Sequence, residues 1–278
     1  MQTPNDGEDF FHYKRQVAQR FDRAALTYDA YADFQRVVLD RLFTHLPYSN
    51  CADAVLDVGT GTGQALSKLS DAYSPSLLVA FDLSLQMLEQ ANLSLQSPAL
   101  ASPPDQPLAL VCGDAEALPF AEASFDVLFS SLAMQWCLQP AVLFAELYRV
   151  TKPGGYLIFS TLCEGSMPEI KRAWQGIDYA PHVNSYPNFE TLLSQVRESR
   201  WQPLNAELLT VPMWFESPEE AVYSLKKVGA SLVVSDQKNT ISPSKWKTFI
   251  QHYEQFRESA GIPLRYQVAF VVLQKPCF

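Results

Sequence analysis

The chain has 278 residues, 47% hydrophobic and 18% charged, which is enough to bury one large core and to append a cover to it. Its formal charge of −9, from 21 Lys and Arg against 30 Asp and Glu, argues against broad nucleic-acid binding, because that affinity comes mainly from basic side chains neutralising phosphates. The N-terminus is polar and no apolar run approaches the roughly 20 residues of a membrane-spanning helix, while five scattered cysteines (Cys51, Cys112, Cys137, Cys163, Cys277) form no zinc half-site or redox pair, so a reduced, cytoplasmic protein is expected.

In chain order, residues 21–46 read as helical, with Tyr31, Phe34, Val38 and Leu42 spaced along one apolar face and Pro47 closing the run. From residue 54, short apolar runs at 54–58, 77–81, 108–112, 125–129 and 156–160 alternate with helical patterns, the signature of a parallel sheet flanked by helices. The stretch 97–107, with four prolines and two serines, reads as an exposed loop. After Thr161 the alternation stops, and 167–180 and 187–196 read as short helices of an inserted cap. Two further strands, 208–215 and 266–273, are separated by helical stretches at 219–228 and 244–256. This makes seven strands, and a last strand reached without a crossover helix should pair antiparallel with its neighbour. The expected organisation is an N-terminal helical region (1–50), a Rossmann-like α/β core (51–162), a helical cap (163–205) and a C-terminal completion of the sheet (206–278).

The segment from Ala54 to Gly63 is a strand running into a glycine turn at the mouth of a helix. Gly59 and Gly61 let backbone pass close to a ligand, and Gly63 permits tight packing or a positive φ as the helix begins. The third glycine comes one position earlier than in the dinucleotide pattern G-x-G-x-x-G, which counts against a nicotinamide oxidoreductase. The next strand ends at Asp82, placed where a carboxylate can accept from vicinal ribose hydroxyls; Asp-x-Ser before a helix is also an N-cap signature. A third strand ends in Gly113-Asp114, another acid at a strand's carboxyl end, where open α/β sheets bind ligands.

Taken in order with Leu118-Pro119-Phe120, Phe125-Asp126-Val127 and Leu147 to Gly155, these motifs resemble the class I S-adenosylmethionine-dependent methyltransferases over residues 52–162. The flanks are similar to a narrower family, the biotin-pathway malonyl-acyl-carrier-protein O-methyltransferases. The segments that carry this likeness are Phe21 to Ala25 with Thr27-Tyr28, Ser131 to Cys137, Glu146 to Val150, Gly165 to Glu169 with Trp174 and Pro181-His182, and Ser224 to Ala230. The resemblance implies S-adenosylmethionine as cofactor, with Gly59, Gly61 and Gly63 at its amino-acid end, Asp82 on the ribose and Asp114 on the adenine amino group. Leu83 and Ala115 lie beside those acids, and Asp57 either supports the loop or holds the cofactor's ammonium. It also implies malonyl-acyl-carrier protein, or malonyl-coenzyme A, as acceptor.

A malonyl carboxylate is ionised at neutral pH and needs no general base, so the expected task is alignment and water exclusion without a metal. A buried carboxylate wants a partner, and the resemblance assigns that part to Arg149; the same Arg-Val-x-Lys-Pro-Gly-Gly run has a purely structural reading. Tyr28 is expected to cover the cofactor and offer its hydroxyl, and Gln135 and Trp136 to border the transfer chamber. His182 reads as structural, and Lys171, Arg172, Lys226 and Lys227 as a basic rim for an acidic carrier protein. Two readings stay open beside this one. A methyltransferase of another small carboxylic acid or quinone shares the cofactor motifs, and so does a non-catalytic S-adenosylmethionine-binding partner protein.

Overall fold

The computed structural model describes residues 6–47, 52–96, 107–230 and 241–277; most of the predicted loop at 97–107, and Cys51, lie outside the described residues. One seven-stranded sheet organises the chain. Its strands are β1 (Ala54–Val58), β2 (Leu77–Asp82), β3 (Leu108–Cys112), β4 (Phe125–Ser131), β5 (Thr151–Leu162), β6 (Gln202–Phe215) and β7 (Ile262–Gln274). In space they run β3-β2-β1-β4-β5-β7-β6. β1 pairs parallel with both β2 and β4, while β7 runs antiparallel to β5 and β6. The predicted antiparallel final strand is therefore present, inserted between β5 and β6.

The chain builds outward from β1 through β2 to β3, then returns to lay β4 on the other side of β1. That reversal opens a crevice at the carboxyl ends of β1 and β4, the place where open α/β sheets bind ligands. All five residues of β1 are buried, as a strand covered by helices on both faces requires, and this explains its unbroken Ala-Val-Leu-Asp-Val run. The helices that follow the strands are α4 (Leu66–Tyr73), α5 (Leu85–Leu95) and α6 (Pro140–Val150). Two hydrophobic clusters fill the faces of the sheet, one around Val55, Leu66, Phe129 and Phe270, the other around Leu56, Phe81, Leu147 and Phe159.

The N-terminal region differs from the single helix expected at 21–46. It holds α1 (Asp6–Ala24), the single-turn α2 (Tyr28–Tyr31) and α3 (Asp33–Phe43). Thr27 breaks the first helix by donating its hydroxyl back to Ala24 O, and the buried stripe Phe34, Val38 and Leu42 belongs to α3 alone. The early start of α1 is hidden in the sequence because its inner stripe, Phe10, Val17 and Phe21, is interrupted by a buried lysine, Lys14.

In the region expected to be a cap, the helix predicted at 167–180 is the shorter α7 (Pro168–Trp174), ended before Gly176 with its φ of +82°. The following loop folds back so that the His182 ring stacks on Trp174 at 3.8 Å and binds Asp178 at 2.6 Å, the structural role expected of this histidine. α8 (Phe189–Glu198) follows, and α9 (Pro218–Lys227) and α10 (Pro243–Glu254) lie between the last two strands. α10 packs on α7 and on α9. Among the described residues no helix is long and apolar enough to cross a membrane.

Candidate active site

The glycine turn follows β1 with φ of +74° at Gly59, +56° at Gly61 and +82° at Gly63, a left-handed region that L side chains enter at a cost. A Cβ on Gly59 would sit 2.1 Å from the Ala133 Cβ, so glycine is required there by the approach of the loop after β4. Gly63 serves packing instead: a Cβ there would come within 3.0 Å of Ala91 and Leu66.

Asp82 ties this turn to β2. Its Oδ2 accepts from the Gly61 N–H and its Oδ1 from the Ser84 N–H, both at 2.8 Å. Ser84, whose hydroxyl accepts from the Met87 N–H, is the N-cap of α5. The two readings of Asp-x-Ser are thus divided between two residues, and the Asp82 carboxylate, with three backbone bonds on its two oxygens, keeps acceptor capacity for a ligand. Burial pushes the Asp82 carboxyl up to about 6. Asp57 lies beneath, pushed by burial up to about 7, with Oδ2 buried and unpartnered among the described residues. A buried carboxyl with an open acceptor suits a cationic ligand.

Gly59, Gly61, Asp82, Leu83, Asp114 and Ala115 line one cavity at the carboxyl end of the sheet. The N-terminal region closes it from above with Lys14, Val17, Phe21 and Tyr28, and Phe21 meets Trp136 edge to face at 5.4 Å. Polar bonds stitch this cover down: Thr62 and Gln64 both donate to Asp29 Oδ1, and the Ser84 hydroxyl donates to Asp22 at 2.6 Å. Lys14, which sequence reasoning missed, pairs with Asp114 at 2.8 Å and with Glu116. Burial works against its charge, yet the neighbouring anions win and raise its affinity for the proton. The signal available in the sequence was a lysine on an otherwise apolar helical stripe.

A second, smaller cavity of about 40 Å³ shares Phe21, Tyr28, Leu132 and Trp136 with the first. Its polar wall comes from Tyr28, Gln35, Gln135, Tyr186 and Tyr266. Burial raises all three phenols: Tyr186 up to about 12, Tyr28 and Tyr266 further, so each is a neutral hydrogen-bond donor at pH 7. Gln135 is held by a 2.6 Å bond to Leu132 O and by the Thr161 hydroxyl on its Oε1. Leu132 itself takes a φ of +52°, strain stored beside the chamber. Sequence reasoning found Tyr28, Gln135 and Trp136, and missed Gln35, Tyr186 and Tyr266, which reach the chamber only through tertiary packing.

Arg149 is not brought here. It lies on α6, and its guanidinium bonds Glu146 through Nε and Nη2 at 2.8 Å, Phe120 O at 2.7 Å and Leu118 O at 2.9 Å. It lines neither cavity, so the expectation that it anchors a substrate carboxylate meets a side chain with four of its five N–H donors already committed elsewhere. Among the described residues, no group of three or more His, Cys, Asp and Glu is arranged to hold a metal ion.

Comparison with known proteins completes the picture. Residues 56–159 match the methyltransferase domain family. The chain is 55% identical over 264 residues to the malonyl-[acyl-carrier protein] O-methyltransferase of Marinomonas sp. (strain MWYL1), covering 95% of both chains. It is 37% identical to the biotin biosynthesis bifunctional protein BioHC of Cellvibrio japonicus (strain Ueda107), covering 95% of this chain and 50% of that one. Among solved structures, the geranyl diphosphate C-methyltransferase of Streptomyces coelicolor A3(2), crystallised with S-adenosyl-L-homocysteine, superposes with a TM-score of 0.52 at 13% identity, covering 86% of this chain and 76% of that one, a likeness of fold.

Proposed function

This chain belongs to the malonyl-[acyl-carrier protein] O-methyltransferase family, and on that premise we propose that its two adjoining cavities carry a methyl group from S-adenosylmethionine to the free carboxylate of a malonyl thioester, in a cytosolic step of biotin synthesis. When bound, S-adenosylmethionine supplies an electrophilic methyl group on a positively charged sulfonium. The residues of the first cavity fit it. Gly59 and Gly61 bring backbone close to the amino-acid end and Asp82 keeps acceptor capacity for the ribose hydroxyls, while the buried Asp57 carboxyl, beneath the turn and outside the cavity lining, sets negative charge under the ammonium. Leu83 and Ala115 flank the adenosine, and Asp114, steadied by Lys14, faces the adenine end.

The observation that carries the reading is the shared wall of Phe21, Tyr28, Leu132 and Trp136, which sets a chamber of neutral donors directly against the cofactor cavity. A malonyl carboxylate enters already ionised, so no residue has to remove a proton. Tyr28 donates to one oxygen and Gln135 borders the other, while Phe21 and Trp136 exclude water. Neutral donors suit this task. A cation in the chamber would compete with the sulfonium for the carboxylate and lower the nucleophilicity of the attacking oxygen. Phe21, Tyr28 and Phe34 from the N-terminal helices, with Met167 and Tyr186 from the region after β5, act as the covers that make the chamber dry. The test is to incubate the protein with methyl-labelled cofactor and malonyl, succinyl and acetyl thioesters. A methyl ester on the malonyl carboxylate is expected, none on acetyl and less on succinyl; label transferred to carbon or to none of the three would overturn the assignment.

A further inference from the structure

A third cavity, of about 190 Å³, lies between α7, α9 and α10. It meets the acceptor chamber along a wall of Met167, Tyr186, Leu225 and Ala230, residues that line both. Its lining is largely apolar and aromatic, with Trp174, Trp246 and Phe249; among its polar members, Asn184 has its Oδ1 buried without a partner among the described residues. Gln35 Oε1 is in the same state and lines the chamber beyond. Two buried, unsatisfied acceptors along one passage are costly unless a ligand brings N–H donors to them.

The rim of this passage is basic although the chain as a whole is acidic. Lys226 lines it, Lys171 follows the lining residue Ile170 on α7, and Lys245 precedes the lining residue Trp246 on α10. The end of α1, which carries Arg20 and Arg23, comes against this edge of the fold: a Cβ on Gly229, next to the lining residue Ala230, would lie 3.4 Å from the Arg20 backbone O. Lys171, Lys226 and Arg23 have no ion-pair partner among the described residues. Asp178 is already engaged by His182 and Lys245. A roomier cavity of about 310 Å³ also reaches Gln135, Asn184 and Tyr186, from the α8 side, so Asn184 serves either route and charge is what separates them: α8 carries Glu190 and Glu198 beside Arg197.

Resting on the acceptor assignment above, we propose that the thioester arm enters through the α7/α9/α10 passage, its amides meeting Asn184 and Gln35, while the acidic protein that bears the arm docks on the basic rim formed by Arg23, Lys171 and Lys226. Charge complementarity of this kind acts chiefly on encounter and falls with salt.

The test compares malonyl-acyl-carrier protein with malonyl-N-acetylcysteamine, an acceptor without the protein, using single charge reversals Arg23→Glu, Lys171→Glu and Lys226→Glu, and Arg197→Glu on α8 as the contrast. Direct titration of fluorescently labelled holo-carrier protein runs alongside. For the three rim variants, the ratio of kcat/KM on the carrier to kcat/KM on the small thioester should fall at least fivefold each, with carrier affinity weakened in parallel and with less dependence on salt. Arg197→Glu should leave that ratio within twofold. A ratio unchanged in the rim variants, or reduced by Arg197→Glu instead, overturns the proposal. Failure of the wild-type protein to esterify either malonyl acceptor would count against the acceptor assignment, and the carrier titration would still accept or reject the docking face.

Discussion

The two halves of the site are built by different means. The floor of the cofactor half is local: one strand, one glycine turn and the ends of β2 and β3, all within residues 54–115, with Lys14, Val17, Phe21 and Tyr28 closing it from above. The acceptor half is assembled from distant pieces, with Tyr28 from the N-terminal region, Gln135 after β4, Tyr186 from the loop beyond α7, and Tyr266 from β7. Backbone geometry governs the first, side-chain reach across covers governs the second. Damage to the first should therefore abolish binding, and damage to the second should slow transfer while leaving the cofactor bound.

The largest effect is expected from Gly59→Val. The substitution forces a β-branched residue to a φ of +74° and drives its Cβ into Ala133. Strain and overpacking together should cost about 2–5 kcal/mol. Calorimetry should then show cofactor affinity down by about a hundredfold or more. A folded Gly59→Val protein that binds S-adenosylmethionine normally would break the view that this turn is dictated by backbone.

Tyr28→Phe probes the other half. It removes one hydrogen bond to an ionised group, which is worth about 1.5–3 kcal/mol. Single-turnover methyl transfer should thus fall roughly ten- to hundredfold. Cofactor affinity should stay within about threefold, because the ring and its packing remain. Equal losses in binding and transfer would erase the distinction between the halves.

This contrast also explains what could be read from the sequence. The strand-turn-acid pattern around Asp57, Gly59, Asp82 and Asp114 is contiguous and bears its own spacing, so the sheet with its antiparallel last strand was legible, and so was the gathering of Gly59, Asp82 and Asp114 on one cavity. Gly63 has the positive φ and the tight packing expected of it but does not line the cavity, where the resemblance sets it at the cofactor's amino-acid end. Lys14 and Tyr186 were not legible, since a lone lysine or tyrosine gains meaning only from what the fold sets beside it. The start of α1 escaped for the same reason, as its stripe is completed by Lys14, whose charge is satisfied by Asp114 and Glu116 a hundred residues away.

Acidity sharpens the comparison at a smaller scale. Asp57 and Asp82 have carboxyls raised by burial from 3.8 to about 7 and about 6. A raised folded value means that their contribution to stability is full below about pH 4 and is lost as pH climbs through 6 and 7. The cationic cofactor prefers the ionised acids, so its affinity should rise over that same window, by about tenfold. Asp57→Asn should flatten both trends: the unliganded melting temperature should decline less between pH 5 and 7.5, and the cofactor Kd should change less. An Asp57→Asn protein that keeps the full wild-type pH dependence of cofactor binding would remove Asp57 from the cofactor half.

The smallest effect on chemistry is expected at Arg149, which belongs to neither half. Its guanidinium clamps Glu146 and the carbonyls of Leu118 and Phe120, and Glu146 in turn accepts from the Leu118 N–H. The clamp fixes the segment that leaves Asp114 and Glu116, so its loss should loosen the floor of the cofactor cavity without touching the acceptor. The side chain is about one-third exposed, and solvent screening discounts the ion pair. Arg149→Met should therefore lower stability by about 1–2 kcal/mol, most of it from the carbonyls left without donors. At saturating cofactor, single-turnover transfer should remain within about threefold of wild type. Arg149→Lys should recover only part of the stability, because one ammonium cannot span a carboxylate and two carbonyls at once. The competing role predicts the reverse pattern. If Arg149 held the malonyl carboxylate, transfer in Arg149→Met would drop by orders of magnitude at an unchanged melting temperature, and the acceptor half would have to be rebuilt around a side chain that now faces away from it.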